Sequence, residues 1–299
     1  MWALKNLMKA EVEVKPHRAE MLEIGSEVEM SLPEWKTIRV RGEVPRTKPT
    51  VRQLMNHTSG LKFFPGGFPI SRYPARLLAQ KAAQEGLQSH PGEKYSYSNW
   101  GVDCAVAICE VLGGEPWDVL LARRVFAPLD MMGATYFPGT NAPYAVCYRL
   151  SETAAPVPGT VDQLSYPYDK PPVYAEAGGG LFCTAMDLMK FYRMLANRGV
   201  AADGKRFLSE KVMTEWYGRP GTTYTFGTTV DPERGVIGHG GAYQTNARAN
   251  WKTGAVSIFF VQINGGNKRS AARRKAWERA VGRCLGIGRT TDVEGVRCK

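Results

Sequence analysis

Two short segments carry side chains that suit proton transfer beside a ligand. Tyr97-Ser98-Asn99 places a phenol and an amide two positions apart, on a loop just ahead of a predicted helix that begins at Trp100. A side chain on such a loop can point into a cleft. His239-Gly240-Gly241 joins an imidazole to two glycines at the start of a predicted strand, where glycine lets a substrate backbone lie close. The structural alternatives are a tyrosine-rich turn packed on the core and a glycine-rich turn ahead of a hairpin.

Two other segments contain residues that could serve as a nucleophile or as a basic group. Ser59-Gly60-Leu61-Lys62 has a lysine three residues after a serine, a spacing that brings both side chains to one face of a helix. The residues that follow, Phe63–Gly67, include proline and two glycines and cannot continue a helix. Lys252-Thr253-Gly254 occupies a predicted hairpin turn that faces solvent. Neither segment is predicted to be catalytic.

Helices are predicted in the middle of the chain. Trp100–Leu112 and Trp117–Phe126 carry apolar residues at helical spacing, and each is followed by glycine or proline. A third helix is predicted after Thr184, whose hydroxyl caps it together with Asp187 three residues on. Residues 134–173, rich in proline, tyrosine and glycine, are predicted to be irregular.

The last third of the chain changes to the period of a strand. Tyr243–Trp251 alternates small or apolar residues with polar ones, which predicts a strand with one buried face. Val256–Ile263 follows the 252–254 turn and predicts the second strand of an antiparallel hairpin. Helices in the middle and an antiparallel sheet late in the chain indicate an α+β fold.

Composition is that of an ordinary globular protein, and the excess of positive charge is local. The chain has 299 residues, 43% hydrophobic and 22% charged, which excludes a disordered chain or a coiled coil. Of the net charge of +11, residues 268–289 contribute +7 through eight Lys and Arg against Glu278. This segment predicts a solvated helix that packs through Trp277, and the alternative is docking to phosphate or anionic lipid. Nucleic-acid binding is not favoured, because no aromatic or glycine-rich motif accompanies the charge.

Cysteine and histidine spacing predicts no metal site. The six cysteines contain no CxxC pair, and the four histidines are not paired at helix-face spacing. No apolar run is long enough to span a bilayer, and the first ten residues carry Lys5 and Lys9 where a signal peptide needs its apolar stretch. No secretion signal is visible in these residues, and the compartment is left open.

Four segments in order resemble the serine β-lactamase and penicillin-binding-protein family, in its class-C-like and esterase-like branch. They are His57–Leu61, Pro91–Asn99, Ala177–Thr184 and Gly238–Gly241. The resemblance covers roughly Glu23 to Gly265 and implies one domain over residues 1–299. It also implies an antiparallel sheet flanked by helices. A helical and loop lobe is expected at about 50–198, and a lobe of sheet and C-terminal helix at about 205–290.

The resemblance implies acyl transfer or hydrolysis through an acyl-serine, without a cofactor. Tyr97 is implied as the acid/base, and Asn99 as the residue that holds the substrate amide or a lysine. His239 is implied to polarise the site or steady a substrate carboxylate. Gly240 and Gly241 leave room for the substrate, and the N–H of Ala242 is an implied oxyanion donor. The segment His57–Leu61, HTSGL, is interpreted as a structural turn that shapes the cleft wall, with no catalytic role for His57.

The sequence departs from the family at the nucleophile. In the family, a helix with the nucleophilic serine and a lysine three residues later (Ser-x-x-Lys) belongs shortly before the segment Leu32–Trp35. Residues 1–25 contain no serine, and Ser26 has no lysine three residues on. The strands that precede that helix in the family are also expected to be missing. Three hypotheses follow: a serine acyl hydrolase truncated at its start, a pseudoenzyme that binds a peptide or glycan in the same cleft, and a basic binding module acting through Lys268–Arg289.

The residues leave the substrate open among a β-lactam, a D-amino-acid peptide and a carboxylic ester. Residues 62–73 and 134–173 are predicted to form the cleft walls. Their aromatic residues suit an apolar acyl group slightly better than a charged peptide; they are Phe63, Phe64, Phe68, Tyr144, Tyr166 and Tyr168. The expected partner is a small-molecule or peptide acyl substrate, and the oligomeric state is not predicted.

Overall fold

A computed structural model describes residues 23–63, 73–139, 143–150, 156–159, 174–264 and 268–284. The fold is α+β, as the sequence predicts, with helices on an antiparallel sheet. The helices are α1 (Val51–Met55), α2 (Ala75–Glu85), α3 (Asn99–Gly113), α4 (Trp117–Leu121), α5 (Ala185–Ala196), α6 (Glu210–Tyr217) and α7 (Lys268–Cys284). Val28–Met30 and Pro33–Thr37 form 3₁₀ turns, and Ala122–Phe126 continues α4 as a π-helix.

Five consecutive strands form the main sheet. They are β3 (Tyr224–Thr225), β4 (Thr228–Asp231), β5 (Val236–Gly240), β6 (Asn246–Asn250) and β7 (Val256–Phe259). Each strand pairs antiparallel with the next one along the chain, and His239 lies opposite Ala247. Helix α5 packs against β6 and β7.

A second, three-stranded sheet corrects the prediction for residues 134–173. Within that range β1 (Cys147–Arg149) pairs antiparallel with β2 (Val157–Gly159), and β1 pairs in parallel with β8 (Ile263–Asn264). The strands are short, and β2 contains a proline. Their pairing depends on β8, a strand more than a hundred residues away, so the local sequence carries little strand signal.

The strand predicted for Tyr243–Trp251 is shorter, and the prediction of one buried face is wrong. It spans Asn246–Asn250, and both asparagines are buried together with the alanines between them. Asn250 is buried because its side chain is used locally: its amide donates to the Arg234 carbonyl, and its oxygen accepts from the N–H of Lys252. A buried polar side chain with such partners does not reveal its burial by its residue type.

Helix caps follow the sequence closely. Thr184 and Asp187 form the predicted capping box at α5, since each side chain accepts from the backbone N–H of the other. Ser98 caps α3 by accepting from the N–H of Gly101 at 3.0 Å. These caps satisfy N–H groups that a helix start otherwise leaves unpaired.

Four tryptophans anchor the core, and each indole N–H has an acceptor. Trp35, Trp100, Trp117 and Trp216 are fully buried. Their acceptors are the carbonyls of Ala79 and Leu78 and the hydroxyls of Tyr136 and Thr228, respectively. Burial of large aromatic surface with the polar atom paired is strongly stabilising.

The C-terminal basic helix α7 packs on the sheet through Trp277, as the sequence predicts. The Trp277 ring lies 4.9 Å from that of Phe259 on β7. Ala272 and Ala276 of the same helix are exposed. No helix among the described residues is long and apolar enough to cross a membrane. The division into two lobes stays a prediction.

Candidate active site

A cleft of about 340 Å³ contains every residue that the sequence predicts for the site. Its walls come from the start of α3, from α5, and from β5, β6 and the turn between these two strands. The predicted residues that line it are Tyr97, Asn99, His239, Gly240, Gly241 and Ala242. They lie on distant parts of the chain, so the fold brings them together. A larger cavity of about 520 Å³ holds none of them and is not assigned to this chemistry.

The Tyr97-Ser98-Asn99 segment is held by the HTSGL turn. The Ser98 N–H donates to Nδ1 of His57 at 3.3 Å, and its hydroxyl donates to the carbonyl of Lys62 at 2.7 Å. The His57 ring lies 4.2 Å from that of Tyr97. His57 therefore helps to position Tyr97 by contacting its ring and by binding the backbone of the next residue.

The backbone of the His57–Leu61 turn requires a glycine at position 60. Its φ is +88°, and a Cβ at this position would lie 2.1 Å from the carbonyl oxygen of Ser89. Only glycine fits a left-handed backbone that approaches another chain segment so closely.

Asn99 and Gly178 form a close contact across the cleft. A Cβ on Gly178 would lie 3.3 Å from Cγ of Asn99. The glycine run that precedes α5 therefore lets the chain approach the first residue of α3, while Leu188 and Tyr192, one turn apart on α5, complete that wall.

The β5 edge carries the imidazole and the turn with the predicted oxyanion donor. His239 and Gly240 are the last residues of β5, and the N–H of Gly241 donates to the carbonyl of Thr245 at 2.8 Å. The Tyr192 hydroxyl hydrogen-bonds the backbone of His239. The exposed Ala242 follows in the turn and lines the cleft.

Tyr224 contacts two residues of this site, although it lines the larger cavity rather than the cleft, and sequence reasoning missed it. Its hydroxyl lies 3.1 Å from Nε2 of His239, and its side chain also hydrogen-bonds that of Tyr97. Tyr224 is on β3, which reaches β5 only through β4: Tyr224 pairs with Thr229, and Thr229 with Gly238. Only the strand register could have found it, because no motif surrounds it.

Burial keeps the proton-transfer groups of the cleft neutral at pH 7. Burial raises the pKa of Tyr97, and nearby Tyr95 raises it further, while the hydrogen bond with Tyr224 lowers it. Burial lowers the pKa of His239. Burial and the nearby His239 lower the pKa of His57 to about 4. The phenol is therefore protonated and both imidazoles are uncharged near neutrality.

Behind Asn99 lies a buried pair of carboxyl groups. Asp103, one turn further along α3, is buried and accepts a hydrogen bond from the Tyr174 hydroxyl at 2.9 Å. Its other oxygen has no partner among the described residues. Burial raises the pKa of Asp103 well above its usual value, and Glu176 adds to the shift. Burial raises the pKa of Glu176 to about 7.

Glu176→Gln is expected to stabilise the protein at pH 8 and to change little at pH 4. Because the folded pKa is raised, the native state keeps a proton that the unfolded chain loses above about pH 4.5. The free energy of unfolding therefore falls as pH rises from there to about 7. The penalty above pH 7 is up to about 3 kcal/mol. Urea unfolding at several pH values measures it, with exposed Glu43→Gln as control. Equal stabilisation at pH 4 and pH 8 would show that ionisation is not the cause.

The literal Ser-x-x-Lys match does not lie in the cleft. Ser59 is buried, and its hydroxyl accepts from the N–H of Leu61 at 3.4 Å. The Lys62 ammonium forms an ion pair with Glu85 and lies over the Trp100 ring. Neither residue lines the cleft.

The Lys-Thr-Gly match lies elsewhere as well. Lys252, Thr253 and Gly254 are exposed in the turn between β6 and β7, as predicted, and the Lys252 ammonium donates to the Glu233 carbonyl. Of the six aromatics expected in the walls, Phe63 lines the cleft and Tyr144 packs on Phe182. The other four lie outside the described residues: Phe64, Phe68, Tyr166 and Tyr168.

Comparison with known proteins decides the family. The family model described as Beta-lactamase matches residues 26–281, most of the chain. The chain belongs to the β-lactamase family. Penicillin-binding protein 4 of Amycolatopsis lactamdurans is 32% identical over 172 residues, which cover 56% of this chain and 43% of that protein. The chain thus spans less than half the length of the curated relatives it matches.

Solved structures show the same β-lactamase-family fold. EstCE1, described as a hydrolase with promiscuous acyltransferase activity, superposes with a TM-score of 0.64 and 19% identity, over 84% of this chain and 76% of its own. The LovD6 mutant of simvastatin synthase from Aspergillus terreus gives a TM-score of 0.67 and 19% identity, over 89% and 78%. These likenesses establish the fold.

Proposed function

We propose that the Tyr97–His239 cleft binds an uncharged ester or amide, the substrate class of acyl transfer. We further propose that the 299-residue chain holds this ligand without forming an acyl-serine. The main support for this proposal is the absence of charged side chains from the described lining of the cleft. Among the described residues that line it there is no Asp, Glu, Lys or Arg, while a phenol, a side-chain amide and an imidazole converge there.

An uncharged lining favours an uncharged ligand. A carboxylate that enters the cleft loses water, and this costs free energy unless a cation pairs with it. His239 is neutral near pH 7 because burial lowers its pKa, so the predicted steadying of a carboxylate is weak there. An ester or amide carbonyl needs only hydrogen bonds, which Asn99 and the backbone can give.

The proposed roles follow from position. Tyr97, hydrogen-bonded and next to the imidazole, is the acid/base of the cleft and can donate a hydrogen bond to the bound carbonyl. Asn99 holds the ligand amide or carbonyl at the start of α3. The N–H of Ala242 is the oxyanion donor, and Gly240 and Gly241 keep the strand edge open to the ligand.

p-Nitrophenyl butyrate, which is neutral, is expected to bind more tightly than benzylpenicillin, an anion, at pH 8. Burial lowers the pKa of His239, so at a pH low enough to protonate it, binding of the penicillin should strengthen while that of the ester stays constant. Competition against a fluorescent acyl probe measures both affinities. Tyr97→Phe should weaken ester binding by roughly three- to tenfold through the lost hydrogen bond.

His239→Gln is the matched control for the pH effect, since it keeps a polar side chain that does not titrate. In this variant the gain for penicillin at low pH should disappear. Tighter binding of penicillin than of the ester at pH 8 would contradict the assignment of an uncharged ligand.

A further inference from the structure

Tyr224 joins two residues of the cleft that do not hydrogen-bond each other in the structure. The rings of Tyr97 and His239 are stacked with centroids 6.4 Å apart. The Tyr224 ring lies edge-on to both, with centroids 6.4 Å from Tyr97 and 5.9 Å from His239. Its hydroxyl is within hydrogen-bond distance of Nε2 of His239 and also hydrogen-bonds the Tyr97 side chain.

The Tyr224 hydroxyl is confined to this position. His57 packs against the Tyr224 ring at 4.7 Å and against the Tyr97 ring at 4.2 Å, so one buried imidazole holds both tyrosines. Strand β3 fixes the backbone through the pairing of Tyr224 with Thr229. A hydroxyl both donates and accepts, so a fixed hydroxyl between two titratable groups can pass a proton in either direction.

We propose that Tyr224 is a positioning residue that makes Tyr97, Tyr224 and His239 one proton-relay unit. The inference rests on the proposed function, because it explains how the acid/base of that cleft exchanges its proton. Tyr224 has no assigned contact with the ligand and acts through the other two side chains.

The relay step conserves protons and charge. As Tyr97 loses its proton, the O–H bond of Tyr97 breaks and a new O–H bond forms on Tyr224. The original Tyr224 proton passes to Nε2 of His239, whose lone pair forms the new N–H bond. The products are a Tyr97 phenolate and a His239 imidazolium. The reverse movement returns the proton from the His239 imidazolium through Tyr224 to the Tyr97 phenolate and restores the neutral unit.

The resting state of the relay is neutral. Burial disfavours both the phenolate of Tyr97 and the imidazolium of His239, so the charged pair is a minor state. The hydrogen bond from Tyr224 favours the phenolate, which is the direction that a relay requires. Without a bound ligand that stabilises the charged pair, the proton therefore stays on Tyr97.

A double-mutant cycle tests the relay by a readout other than activity. Protein containing 3-fluorotyrosine reports the titration of each phenol by ¹⁹F NMR, and Tyr97→Phe assigns the Tyr97 signal. His239→Gln is expected to shift the Tyr97 titration midpoint in the parent protein. In the Tyr224→Phe background, the same His239→Gln change should leave the Tyr97 midpoint where it was.

Tyr95→Phe is the matched control, because Tyr95 contacts the His57 and Tyr224 rings but is exposed and lies outside the relay. In that background the effect of His239→Gln should persist. An equal His239→Gln shift with and without the Tyr224 hydroxyl would overturn the proposal, because it would show direct coupling through space.

A measurement on the unmutated protein covers the case in which Tyr224→Phe does not fold. The ¹⁵N shift of His239 Nε2 should show a hydrogen bond at pH 8, and a free Nε2 would also overturn the relay. Ligand affinity is measured separately: coupling without ester binding would refute the proposed function alone, and ester binding without coupling would refute the relay alone.

Discussion

The 299-residue chain is expected to hydrolyse p-nitrophenyl butyrate and a chromogenic cephalosporin no faster than about a millionth of the rate of a complete serine hydrolase. Loss of the nucleophilic serine costs about 10⁶-fold in kcat in the best-studied serine enzymes. In this chain the one Ser-x-x-Lys match has its serine buried in the HTSGL turn and its lysine paired with Glu85. The described residues that line the cleft can bind and polarise a carbonyl, and no serine is among them.

Three measurements check this expectation. Steady-state hydrolysis by the parent chain should equal that of Tyr97→Phe, since both report only background. A fluorescent penicillin should leave no covalent label after denaturation. Rapid stoichiometric labelling would refute the expectation, and mass mapping of that label to Ser59 would make Ser59 the nucleophile.

The DNA sequence upstream of the Met1 codon distinguishes a serine acyl hydrolase from a binding protein. In-frame codons for Ser-x-x-Lys there would favour a serine acyl hydrolase, and their absence would favour a binding protein with the same cleft. The same hydrolysis assay on a polypeptide that includes such codons would then report whether Tyr97 and His239 support turnover.

Trp100→Ala is expected to lower the free energy of unfolding by about 3–5 kcal/mol, the usual cost of removing a fully buried aromatic side chain. The loss has three sources in the structure: the ring is inaccessible to solvent, its N–H donates to the Leu78 carbonyl at 2.9 Å, and Lys62 lies over it. Removing the donor also removes that hydrogen bond. The melting temperature should fall by roughly 10 °C or more.

Trp100→Phe and Met132→Ala are the comparisons for this change. The phenylalanine keeps much of the packing and should cost less than the alanine. Met132 is 78% exposed, and its truncation should change stability by no more than about 0.5 kcal/mol. Chemical unfolding followed by circular dichroism measures all three. A loss below about 1 kcal/mol for Trp100→Ala would mean that the site collapses around the deletion.

The elements with strong local signals could be predicted from the sequence. The capping box of Thr184 and Asp187 and the helix that begins after Ser98 depend on residues within one turn of each other. The six cleft residues were also predicted, because the motifs that carry them identify a family, and the family supplies the three-dimensional arrangement that spacing alone does not.

The features that the sequence missed depend on distant pairing. Tyr224 reaches His239 through two strand registers, and β1 pairs with the distant strand β8. Neither leaves a local pattern. Asn250 contradicts the predicted one-sided strand because its side chain pairs with the hairpin turn. Asn246 also contradicts it, since it is buried at the cleft although its side-chain oxygen has no partner among the described residues. Polarity indicates exposure only where nothing in the fold can pair with the polar atoms.

The order of strands in the main sheet has a consequence for folding kinetics. Every neighbouring pair from β3 to β7 is consecutive in the chain, so the sheet can grow by closing short loops, each at a small entropic cost. The cleft is different, since Tyr97 and His239 meet only after a long intervening segment has been brought into place. Contacts between distant parts of a chain form late when local ones are available. We therefore expect the sheet to be protected from hydrogen exchange early in refolding, and ligand binding to be recovered in the slowest phase.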